Sequence, residues 1–216
     1  MTVTLKRFFH FAIITSLAAL LAACGSNPAQ RGDATAAEPV LDGSGKRVAT
    51  PNPYFADPTD VPAAALEAIS RARGFYDQQQ YPSAEAELQQ VVTQWPNLSG
   101  AWLNLSRVQL KLAQPGQAES SLRQAVAANE KNVFAWNSLG VLLRDQGKFE
   151  DARIAYESAL THWPDFAMAH LNLGILFDLY LHKPEQALHH YREAKALEEV
   201  EDRVLAGWIV DLERRM

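Results

Sequence analysis

The sequence predicts an all-α solenoid of four helix-turn-helix units closed by one further helix, preceded by a leader and an unstructured tether. Beyond residue 61 the chain is self-similar at a spacing of 34 residues, the mark of stacked repeats. Small residues recur at fixed places within that register, where helices must approach closely. Near the C-terminus, apolar residues gather on a single helical face. Composition agrees with one globular domain plus a tail: 216 residues, 48% hydrophobic and 21% charged. The net charge of -5 argues against a nucleic-acid binder. A single cysteine excludes an intrachain disulfide and a cysteine-rich zinc site.

That cysteine ends the first element. Residues 1–23 carry Lys6 and Arg7, then an uncharged run from Phe8 to Ala23 closing Leu21-Ala22-Ala23-Cys24. This is a secretory signal pattern, and the run is shorter than the roughly 20 residues a bilayer span needs. Leu-Ala-Ala-Cys resembles the bacterial lipobox. The resemblance implies cleavage before Cys24 and acylation of its thiol and new amine. Gly25 and Ser26 stand where inner-membrane lipoproteins usually carry Asp, so it also implies the outer membrane, on its periplasmic side.

Residues 24–60 are rich in Gly, Pro, Ala, Ser and Asp and show no periodicity, which predicts a disordered, lipid-anchored linker. Six of the eleven prolines lie between Pro28 and Pro62. Gly43-Ser44-Gly45-Lys46 lacks the flanking residues of a phosphate loop, with Val40 and Arg47 at the decisive places, and belongs to the linker. Tyr54-Phe55 is its one adhesive spot, expected to dock on the first repeat, with contact to a partner as the alternative.

The repeats occupy 61–197, in units of about 65–98, 99–132, 133–166 and 167–200. Trp102, Trp136 and His170 align, as do Leu105, Leu139 and Leu173, then Ser106, Gly140 and Gly174. Ala84, Ala118 and Ala152 follow, with Ala187 one residue late, and Pro96 and Pro164 close their units. The third unit is the most regular: Trp136, Leu139, Gly140, Leu143, Ala152, Tyr156, Ala159, Pro164. This pattern resembles the tetratricopeptide repeat, which implies a right-handed superhelix of paired helices. Small residues at 140 and 152 are expected to let the two helix backbones approach. Departures are Ala68 for the first Trp, Glu130 for the second Pro, and one extra residue in Tyr180-Leu181-His182-Lys183-Pro184. Residues 198–216 supply a capping helix, with Val204, Leu205, Trp208, Ile209 and Leu212 on its apolar face.

In proteins of this family the first helix of each pair lines a concave groove. The resemblance assigns to it Leu66, Ile69, Arg73 and Tyr76, then Gly100, Leu103, Arg107 and Leu110. The third unit adds Phe134, Asn137, Val141 and Arg144, and the fourth Met168, Leu171, Ile175 and Asp178. Together they make a largely apolar trough with three arginines, suited to a helix or extended peptide with apolar anchors and acidic groups. The family's carboxylate-gripping pocket maps onto Ile69, Arg73, Asn104, Phe134 and Ser138, of which only Asn104 agrees, so chaperone tails are not expected.

Nothing in the chain points to catalysis or a cofactor. Five histidines fall between His162 and His190, without ligand spacing or a carboxylate partner. There is no nucleophile elbow, and the expected acylation would block the only thiol. Glu198, Glu199, Glu201 and Asp202 suit a helix start. The expectation is therefore a non-enzymatic adaptor on the outer membrane that binds a periplasmic or envelope protein. Resembling lipoproteins serve in pilus or secretion-pore assembly, peptidoglycan-enzyme recruitment or energy-coupled uptake; self-association through the groove is the alternative.

Overall fold

The computed structural model describes residues 40–43, 45–56, 60–197 and 203–216. The signal segment, Cys24, the tether up to residue 39 and the acidic run 198–202 lie outside the described residues. Among the described residues there are nine helices. They pair as α1 (Ala63–Asp77) with α2 (Tyr81–Gln94), α3 (Ser99–Lys111) with α4 (Pro115–Ala128), α5 (Val133–Asp145) with α6 (Phe149–His162), and α7 (Ala167–Leu179) with α8 (Pro184–Leu197). The last, α9 (Arg203–Arg215), follows alone. The architecture is an all-helical, tetratricopeptide-like solenoid.

Each pair is joined by a short turn that needs one residue in the left-handed region: Gln79 (φ 61°), Ala113 (58°), Gly147 (76°) and His182 (51°). Glycine enters that region without steric cost, whereas the other three give up roughly 1 kcal/mol or more apiece. The turn recurs because the pairing geometry demands it, whichever residue stands there. The extra residue of the fourth unit lengthens its turn, where Lys183 N–H bonds back to the Phe177 carbonyl at 2.8 Å.

Packing repeats with the sequence. Ala84, Ala118, Ala152 and Ala187 are wholly buried between paired helices, and Leu105, Leu139 and Leu173 fill the seams. The aligned Trp, Trp and His make one recurrent bond: Trp102 Nε1–H to the Pro96 carbonyl (2.8 Å), Trp136 Nε1–H to Glu130 (2.9 Å) and His170 Nε2–H to Pro164 (2.9 Å). A backbone carbonyl suffices as acceptor, which is why Glu130 replaces proline without loss. Histidine replaces tryptophan because it still offers a ring N–H.

The small residues act differently from the expectation. A Cβ at Gly140 would stand 2.5 Å from the ring of Tyr156, and one at Gly174 would stand 2.5 Å from the ring of Tyr191. What the glycines admit is thus an aromatic ring from the paired helix. The equivalent pairs in the first two units are Ala72 with Leu88 and Ser106 with Leu122, all buried. Glycine occurs where the facing residue is tyrosine, and a larger residue where it is leucine.

At the C-terminal end α9 packs on α8, burying Leu205, Ile209 and Leu212 and placing Trp208 5.8 Å from the Tyr191 ring. Arg192 pairs with Glu213, and Arg215 reaches Asp178 on α7. Val204, assigned above to the apolar face, is 59% exposed; it falls at the edge of the stripe, past the reach of α8.

The largest correction concerns residues 40–56, expected to be disordered linker. Leu41 and Arg47 form an antiparallel bridge around a turn, with Val48 N–H bonded to the Val40 carbonyl at 2.8 Å and Gly45 at φ 83°. From Arg47 the chain runs extended to Asn52 along the ends of the repeats and closes in a turn, with Phe55 N–H bonded to the Asn52 carbonyl at 3.1 Å. Specific partners on the repeats, and no periodic apolar pattern of its own, hold this segment down.

Candidate functional site: a concave face partly covered by its own chain

The odd-numbered helices form one layer. Besides packing within their own pairs, α3 contacts α5 and α5 contacts α7, whereas the even-numbered helices have no comparable mutual contact. The layer with the closer neighbours is the inner one of a curved stack, so α1, α3, α5 and α7 present the concave face. All sixteen groove positions assigned from the sequence, from Leu66 to Asp178, fall on these four helices.

Their exposures differ, and this changes what the face can hold. Leu66, Leu110 and Met168 are exposed at 54%, 43% and 51%. Ile69, Val141, Leu171 and Ile175 are half-buried against the core. Leu103 is only 7% exposed and belongs to the core, because α3 leans on α5 there; it is not available to a ligand. Gly100 and Phe134 meet the docked segment instead. The expected continuous apolar trough is therefore a set of separate anchors.

Charge on this face is mostly spoken for. Arg144 pairs with Asp145, Asp178 with Arg215, and Arg73 approaches Asp77 at 4.0 Å. Among the described residues Arg107 has no ion-pair partner. It lines a cleft of about 490 Å³ between α1 and α3, together with Ile69, Arg73, Tyr76, Asn104 and Val108. Here α1 lacks the close approach that α3 makes to α5, and the gap is the cleft. Its chemistry is apolar walls, the Asn104 amide, the Arg73–Asp77 pair and, in Arg107, a guanidinium with no ion-pair partner among the described residues, which suits an apolar segment bearing a carboxylate. Ser138, at a carboxylate-pocket position, spends its hydroxyl on the Phe134 carbonyl at 2.7 Å.

At the other end of the face, the docked segment takes over. Arg47 donates from its two terminal nitrogens to Asp165 and Glu193. Thr50 N–H donates to the second Asp165 oxygen at 2.7 Å, and Trp163 Nε1–H donates to the Thr50 carbonyl at 2.9 Å. Tyr54 and Phe55 then lie 6.2 and 5.9 Å from the Phe134 ring, which in turn meets Phe166 edge-on at 5.5 Å. Tyr54 thus docks on the second and third units and also lines a pocket with Leu66 and Ile69 of the first, the expected unit. The Tyr54 hydroxyl passes so close to Gly100 that a Cβ there would be 3.0 Å away. Asp165 is 7% exposed. Burial works against its charge, but the Thr50 and Arg47 hydrogen bonds outweigh that and hold its pKa below the usual carboxylate value.

Beside this anchor lies a histidine pair. His170 Nδ1 and His190 Nδ1 are 3.0 Å apart, and the Phe177 ring stacks on His190 at 5.6 Å. Burial first, then the neighbouring imidazoles, lower the pKa of both; for His190 it falls to about 3. Among the described residues no group of three or more metal-ligating side chains occurs. Sequence reasoning missed Asp165, Trp163 and Glu193. The available signal was Asp165 itself, at a loop position where the earlier units carry Asn97 and Lys131.

Comparisons with known proteins agree with the fold. The tetratricopeptide repeat family model matches residues 103–165 and 138–179. A protein O-mannosyl-transferase, Tmtc3 of Drosophila melanogaster, is 33% identical over 78 residues, 36% of this chain and 8% of that protein, so the chain spans a small fraction of that relative. Among solved structures, pilF of Pseudomonas aeruginosa superposes with a TM-score of 0.62 at 23% identity, covering 70% of this chain and 68% of that one. YrrB, described as a TPR protein with an unusual peptide-binding site, gives 0.57 at 23%, covering 68% and 75%. A tetratricopeptide repeat protein from Parabacteroides merdae gives 0.62 at 19%, covering 71% and 62%. At these identities the likeness carries the fold. The chain is thus a tetratricopeptide-like solenoid whose segment from 103 to 179 carries the family's repeats.

Proposed function

We propose that this chain is a non-enzymatic adaptor, held by lipid at Cys24 on the periplasmic face of a bacterial outer membrane, whose concave face binds an envelope protein. The observation that carries the binding role is the open cleft between α1 and α3, with Arg107 unpaired among the described residues and Leu66 and Leu110 exposed on the helices that form it. The anchor rests on the lipobox resemblance, and so does the setting, assembly of a pilus or secretion pore. Anchoring confines adaptor and partner to a thin layer, so modest affinity suffices for high occupancy.

Two substitutions test the two halves separately. Cys24→Ser is expected to accumulate unprocessed precursor; a normally cleaved, soluble product refutes acylation. Arg107→Glu combined with Leu110→Glu alters exposed groups alone and leaves helicity unchanged. Affinity capture from crosslinked, detergent-solubilised envelopes is expected to lose at least tenfold of one specific protein with that pair. Identical capture lists remove the cleft from the account.

A further inference from the structure

The segment 47–55 is bound in the manner of a ligand. Its contacts combine two backbone hydrogen bonds at Thr50, a side-chain fork at Arg47 and an aromatic pair at Tyr54-Phe55. That division, with main chain read in the middle and side chains read at the ends, is how extended peptides are recognised. The surface that receives it is built for the task. Asp165 is a carboxylate that this segment covers and whose described hydrogen-bond donors both come from it, so without an occupant it loses both donors. Trp163 Nε1–H, which has no internal acceptor in its own unit, also turns to the segment. The occupant itself is lightly held elsewhere, with Phe55 69% exposed.

The geometry points to a peptide-binding site on the rim formed by Asp165, Glu193, Trp163 and Phe134, which residues 47–55 fill in cis. Its ligand class is a segment that presents an arginine from an extended stretch and, seven and eight residues later, two aromatic rings from a turn. The chain's own segment is then a tethered competitor, at an effective concentration on the order of millimolar, that a partner of the same chemistry must displace. Its Tyr54 end lines a pocket that shares Ile69 and Asn104 with the cleft between α1 and α3, and the site does not depend on the lipid anchor.

The test uses the full-length protein carrying Arg47→Ala, Tyr54→Ala and Phe55→Ala, which releases the cover, and a fluorescent synthetic peptide of residues 45–56 as probe. Anisotropy is expected to show peptide binding to this variant at least tenfold tighter than to the wild type. Adding Asp165→Asn, or using a peptide with Arg47→Ala, is expected to weaken binding at least tenfold. Absence of binding to a variant of wild-type helicity overturns the site, and so does indifference to Asp165. Equal binding to variant and wild type overturns the cover. Hydrogen exchange on the wild type supplies a readout free of substitutions: the Val48 and Thr50 amides are expected to exchange at least tenfold faster than the buried amides of α5. Exchange of both sets only through global unfolding makes the segment a fixed strap and overturns the proposal.

Discussion

Gly140→Ala is expected to destabilise the protein by about 2 kcal/mol, although alanine is the better helix former by about 1 kcal/mol. The added methyl would stand 2.5 Å from the ring of Tyr156, which is wholly buried and has no room to retreat. Overpacking therefore outweighs propensity. The first two units show the cure, since Ala72 and Ser106 face leucines at the equivalent place. In a Tyr156→Leu background the same Gly140→Ala change is expected to cost roughly nothing, giving a coupling energy of about 2 kcal/mol in a double-mutant cycle. Tyr156→Leu also removes a hydroxyl that is buried without a hydrogen-bond partner, which offsets part of the lost ring packing. Denaturant unfolding of the four proteins measures this, and additive effects would contradict the ring-over-glycine explanation.

Acid is expected to weaken the protein as soon as the pH falls below about 6.5. His170 Nε2–H donates to the Pro164 carbonyl, which leaves His170 Nδ1 as an acceptor and requires His190 Nδ1–H to donate to it. Both rings are neutral in that arrangement, and a proton added to either one enters a buried site beside the other. The folded pKa of His190, about 3, is below the unfolded value near 6.5. The folded state thus binds fewer protons, so the contribution is complete above pH 6.5 and is lost as pH falls from there toward 3. The expected loss between pH 7 and pH 4.5 is about 2 to 3 kcal/mol. The Lys148 hydrogen bond foremost, then that from Arg123, hold Glu119 down to about 2, so its contribution is lost only as pH drops below about 4.5 toward 2. His190→Gln keeps an N–H donor for His170 and does not titrate. Its thermal midpoint is expected to vary less between pH 7 and pH 4.5 than that of the wild type, and an unchanged slope would contradict the assignment.

Much of the solenoid was legible because its determinants repeat. Leu105, Leu139 and Leu173 occupy one environment three times, so a spacing of 34 residues exposes them without any structural knowledge. The assignment of the groove to one helix of each pair also came from the register. Burial within that face did not, because Leu103 and Leu110 differ only in how far α3 leans on α5. The docked segment was illegible for another reason. Its hydrogen-bonding partners stand more than a hundred residues away, at Asp165, Trp163 and Glu193, and an extended chain recognised through its backbone leaves no periodic trace. Tyr54-Phe55 was visible as adhesive, while its docking place depended on Phe134 and on the gap above Gly100.

The central claim, that a partner is held on the concave layer at the first two units, is tested most directly by photocrosslinking in intact envelopes. A photoreactive amino acid replaces exposed Leu110 on α3 in one protein and exposed Ile154 on α6, in the other layer, in a second. A discrete adduct from position 110 and none from position 154 is the predicted result. Adducts from 154 with none from 110 would place the partner on the opposite face and contradict the account.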